Sequence, residues 1–126
     1  MDATHLSLVA GWIGMAGGIL SGALIGLFFH QEQWLGGYNS YRRRLYRLGH
    51  ISFFGIGFIN LFFALSASML DLSPYYHNLA AGSLIIGAIT MPLICFLSGW
   101  KQPFRHLFFI PVVSRAIAVG IILSRF

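Results

Sequence analysis

"YRRRLYRLGHISFFGIGFINLFF", residues 41–63, decides how the chain is read. Four arginines crowd its first seven residues and a histidine follows; the next thirteen residues carry no charge and one amide, Asn60. Such a run passes from the charged edge of a bilayer into its hydrocarbon. Residues 50–70 together supply the roughly 20 apolar residues needed to cross about 30 Å.

Three further stretches, residues 6–29, 79–100 and 107–123, have the same character. None shows the period-two alternation of a membrane barrel, so helices must satisfy the backbone in lipid. Residues 30–49 form the one long polar connection. The expected fold is all-α: a single domain over residues 1–126, forming an integral membrane four-helix bundle with short connections elsewhere. Composition agrees, because 57% of the 126 residues are hydrophobic and 9% charged, against about 25% charged in a soluble domain. A soluble domain this small has too little interior to hide them. The first stretch lacks a basic leader and a cleavage site, and its apolar run exceeds that of a secretion signal, so it is expected to be retained. The single cysteine, Cys95, cannot form a disulfide within the chain.

Orientation follows from the cations beside the spans. Arg42, Arg43, Arg44 and Arg47 lie in the first connection and Lys101 and Arg105 in the third, while the N-terminal tail and second connection have none. This bias predicts both termini outward; the expected location, separately, is a bacterial cytoplasmic membrane that the chain crosses several times. Arg125 is the one dissenting charge, and it reaches headgroups by snorkelling. Tyr41, Leu45 and Leu48 share one helical face, which predicts a short amphipathic segment on the inner leaflet. Its arginines would gain about 1 kcal/mol each from anionic headgroups or would dock an acidic partner. No nucleic-acid motif accompanies the net charge of +5, and nucleic-acid binding is not expected.

Gly14, Gly18, Gly22 and Gly26 form a row at intervals of four, with Ala10 before it and His30 after it. Such a row lets two backbones approach closely, and its partner is another span or another subunit. Gly57, Leu61, Ala64 and Ser68 offer a matching face, and Ser83 and Gly87 keep the third span slender.

Polar groups within or beside the spans are few. His30, His50 and His106 lie near the basic ends and are candidate haem b or metal ligands, with the glycine row and arginines suited to a haem plane and its propionates. Met91 and Cys95, four apart, are candidate soft ligands. The competing reading makes the histidines interfacial residues and Met91 and Cys95 packing residues, since no metal-binding or haem-attachment spacing is present. Asn60 and Arg115 lie deeper. A mid-membrane arginine costs at least about 2.5 kcal/mol, and no acidic residue lies within any span to pair with it. Asn60, Thr90, a cofactor, lipid phosphate, another subunit or carbonyls freed by Pro92 and Pro111 remain as partners. Alternatively Pro111 occupies the first turn of a shorter last span, which moves Arg115 toward the interface.

Catalysis is hard to build from this inventory: no carboxylate is placed to orient a histidine base, paired carboxylates are absent, and no phosphate-binding loop occurs. The leading expectation is a non-catalytic accessory or assembly subunit without a cofactor. It would sit among membrane lipids beside other membrane subunits or further copies of itself. The alternatives are a haem- or metal-binding electron-transfer protein and a small oligomeric channel or transporter.

Overall fold

The structure, a computed structural model, describes residues 2–126. Among them there is no strand, and four helices are long and apolar enough to cross a membrane. Helix α1 spans Ala3–Phe29 and starts at Asp2, whose Oδ1 accepts the His5 amide at 2.7 Å. Helix α2 spans Tyr41–Ser66 and ends in a 3₁₀ turn at Ala67–Met69. Helix α3 spans Pro74–Trp100, with Pro74 in its first turn, where a missing N–H costs nothing. A 3₁₀ segment, Gln102–Phe108, leads into α4, Phe109–Leu123.

Helix α2 extends beyond the apolar run at its start, and the cause is local. The second helix begins at Tyr41, not near residue 50, so the arginine-rich stretch read as a separate surface segment forms the first turns of α2. Ser40 starts it: its hydroxyl oxygen accepts the Arg43 amide at 3.1 Å while its O–H donates to the Leu35 carbonyl at 2.7 Å. The chain reverses just before, through a 3₁₀ turn at Trp34–Gly36 with φ of 56° at Leu35, 89° at Gly36 and 104° at Gly37. Glycine is the residue that enters this region without a side-chain clash. In the last helix Pro111 stands in the first turn and α4 has 15 residues, the shorter of the two helices the sequence allows.

The helices run up and down. α1 packs on α2, α2 on α3 and α3 on α4, with a lesser contact between α1 and α3. α1 and α2 meet at glycines: a Cβ on Gly14 would lie 3.0 Å from the Phe53 carbonyl oxygen and 3.1 Å from the Gly57 Cα, so backbone touches backbone. Where the chain termini gather, Phe63, Leu70, Ala80, Ala81, Leu84 and Ala118 make a buried apolar core from α2, α3, α4 and the turn between α2 and α3. At the opposite, basic end, Leu45 of α2 and Ile94 and Cys95 of α3 are buried.

Candidate functional site

At the basic end, the first turn of α2 points two arginines at the carboxyl ends of its neighbours. Arg43 is fully buried; its Nη1 donates to the carbonyls of Gln31 (3.1 Å) and Glu32 (3.3 Å), and its Nη2 donates to that of Phe29. Its guanidinium lies 4.6 Å from the ring centre of Phe29, 5.3 Å from that of Trp34 and 4.2 Å from that of Tyr38. Arg42 donates through Nε to the Gly99 carbonyl, 2.8 Å away in the last turn of α3. Helix ends carry unsatisfied carbonyls and partial negative charge, so both contacts are favourable for the same reason. Arg43, expected at the headgroups, is therefore enclosed by protein. Arg44 and Arg47 are exposed and remain free to meet lipid.

The three basic-end histidines go to different places. His50 turns toward α1, where its Nδ1 is 3.1 Å from the Ser21 hydroxyl and its ring meets Phe54 edge-on at 5.5 Å. Its Cε1 sits 2.5 Å from where a Cβ on Gly22 would be. His30 ends α1 in exposed surroundings, and His106 is exposed on the 3₁₀ segment. At the far end, His77 of α3 pairs through Nε2 with the Thr4 hydroxyl at 2.9 Å and lies against Phe63. Neither the His50–Ser21 nor the His77–Thr4 tie was legible as a spacing in the sequence.

These positions bear on the haem expectation. The face that the glycine row offers a flat ring is occupied: Gly14 by Gly57, Gly18 by the Phe54 ring and Gly22 by His50, while Gly26 has nothing within 4 Å. The residues present do not fit a haem between α1 and α2. Among the described residues no three His, Cys, Asp or Glu side chains gather to hold a metal, and Cys95 is buried while Met91 is half-buried without such a group around them.

Asn60 is fully buried and ties α2 to α3, with Nδ2 donating to its own-helix Ile56 carbonyl (3.0 Å) and to Leu84 (3.4 Å). Arg115 lies beside Gly87, where a Cβ would come 3.1 Å from its Cγ. Gly87 is thirteen residues from either end of α3, about 20 Å along the axis, so the arginine stands halfway through the helix layer. Its one hydrogen bond to the described residues is Nε to the Pro111 carbonyl, one turn back on its own helix, at 3.2 Å. Thr90 donates to its own-helix Ile86 carbonyl, so neither it nor Asn60 meets the guanidinium.

One feature has no counterpart in the sequence reading. A cavity of about 600 Å³ lies between α1 and α3 over a floor of α2, lined by Leu6, Ala10, Gly14, Phe53, Gly57 and Pro92, among other apolar residues. Neither Asn60 nor Arg115 lines it. Comparison with protein families, with curated proteins and with solved structures finds no match to this chain.

Proposed function

We propose that this chain is an assembly subunit of a membrane complex, held to a different membrane protein through the α3–α4 face around Arg115, with no catalytic step of its own. The observation that carries this reading is the guanidinium halfway through the helix layer, bonded within the chain only to a carbonyl of its own helix. Its two Nη groups need acceptors, and an unpaired charge in hydrocarbon is costly. The three acidic residues, Asp2, Glu32 and Asp71, all lie outside the spanning helices or at their ends. A second copy of the chain would therefore bring another arginine and no carboxylate. The fitting partner is a helix with an aspartate or glutamate at mid-membrane depth.

The hydroxyls support the non-catalytic part. Ser21, Ser52, Ser66 and Thr90 each donate to a carbonyl of their own helix, and the Ser21–His50 pair has no carboxylate behind the imidazole. The charge bias supports a cytoplasmic basic end, with Arg44 and Arg47 at anionic headgroups.

The test is complex size in mild detergent from the native membrane. Arg115→Leu should shift the chain to its monomer mass, while Arg115→Lys, which keeps the charge, should retain at least part of the larger species. A wild-type chain that runs as a monomer, or a complex unaffected by Arg115→Leu, overturns the reading.

A further inference from the structure

The cavity between α1 and α3 is independent of Arg115. Small residues create it: Ala10 and Gly14 on one wall, Gly57 in the floor and Ala88 on the other wall leave volume that no side chain fills. Every lining residue is apolar, so water has no hydrogen-bond partner there and does not stabilise it. Protein interiors and bilayers are both close to fully packed, and at this depth the molecules available to fill about 600 Å³ are acyl chains.

Length and mouth narrow the choice. Along α3 the lining runs from Ile85 to Phe96, eleven residue steps or about 16 Å, and on α1 from Leu6 to Gly14, a long narrow trough of the shape an extended acyl chain fills. At the terminal end a second cavity, of about 450 Å³, shares Leu6 and Ile85 with the first and adds Asp2, Asn78 and Gly82. Gly82 faces open space at this mouth, since a Cβ there would meet nothing within 4 Å. Asp2 uses Oδ1 to cap α1, which leaves Oδ2 as a negatively charged acceptor. Asn78 adds an amide that both donates and accepts.

We infer that this continuous groove is a binding site for one phospholipid, an acyl chain lying between α1 and α3 and an amine-bearing headgroup at Asp2 and Asn78. A primary ammonium satisfies the carboxylate, and the amide suits the phosphate or ester oxygens beside it. An anionic headgroup without an amine would meet Asp2 with like charge and is disfavoured there.

Native mass spectrometry of the full chain tests this with phosphatidylethanolamine and phosphatidylglycerol of identical acyl chains, offered separately and in competition. The wild type should retain one lipid, with phosphatidylethanolamine preferred up to about fivefold, the yield of one exposed ion pair. Asp2→Asn should abolish the preference while keeping the lipid. Ala88→Phe, which fills the groove, should lose the lipid, and Leu24→Phe, on an exposed face outside it, should not. If Ala88→Phe fails to fold by circular dichroism, Ala10→Leu serves as the smaller block. Retention that survives a folded groove-filling variant overturns the site. A preference unchanged by Asp2→Asn overturns the headgroup assignment. Two or more chains with no retained lipid would mean that a second copy or a partner helix fills the groove, and this too overturns the proposal.

Discussion

His50 of α2 fills the notch that Gly22 leaves in α1: its Cε1 lies 2.5 Å from the position a Gly22 Cβ would take, and its Nδ1 is 3.1 Å from the hydroxyl of Ser21 next door. The imidazole that stands where the arginines give way to hydrocarbon is thus an interhelical tie. It offers its ring to α1, not to the exposed His30 or His106. A double-mutant cycle of Ser21→Ala and His50→Ala, followed by thermal unfolding in detergent, should yield a coupling energy of about 1 kcal/mol, the usual worth of one hydrogen bond. Strict additivity of the two changes would show that the contact contributes nothing.

The glycine row is not uniform. At Gly14 the neighbours of an added Cβ are backbone atoms of Phe53 and Gly57, which cannot turn aside, whereas at Gly26 nothing lies within 4 Å. Gly14→Ala should destabilise the chain by about 1–3 kcal/mol through overpacking. Gly26→Ala should be neutral or slightly stabilising, because alanine is the better helix former. Equal melting temperatures for the two variants would contradict this packing.

Among the four arginines at the start of α2, position decides the cost of removal. Arg43→Leu leaves the carbonyls of Phe29, Gln31 and Glu32 without their donor and empties the aromatic surround of Phe29, Trp34 and Tyr38. A loss of at least about 2–3 kcal/mol is expected, with altered Trp34 fluorescence. Arg44 is exposed, and Arg44→Leu should stay within about 0.5 kcal/mol. Comparable losses at both positions would remove the distinction between helix-end cap and headgroup anchor.

Sidedness is open to a labelling measurement. In a Cys95→Ala background, Asn39→Cys in the basic connection should resist an impermeant thiol reagent added to intact bacterial cells, and Ser73→Cys between α2 and α3 should react. The charge bias is the physical basis. The opposite pattern would invert the orientation.

What could be read from the order of residues was what hydropathy and charge encode along one dimension. Helices must satisfy their backbone in lipid whatever lies beside them, so four apolar runs are enough to announce four spanning helices. The glycine spacing likewise marked a face, since residues four apart share one side of a helix. Hydropathy does not show that the basic stretch and the second apolar run form one helix, because charge marks the edge of a span and not the end of a helix. An arginine whose guanidinium finds a helix-end carbonyl or an aromatic surround can continue the helix instead, as Arg42 and Arg43 do. That outcome depends on where another helix ends, which no local window contains.

Tertiary structure alone decided which polar groups meet. Ser21 and His50 are 29 residues apart, Arg42 and Gly99 57, and Thr4 and His77 73. Such pairs form only when neighbouring helices adopt one rotation and one height relative to each other. A turn of about 100° about a helix axis, one residue's worth at 3.6 per turn, exchanges the face that meets the neighbour. The groove between α1 and α3 is decided in the same way: small residues on three helices announce no cavity until packing brings Ala10, Gly57 and Ala88 to its walls and floor.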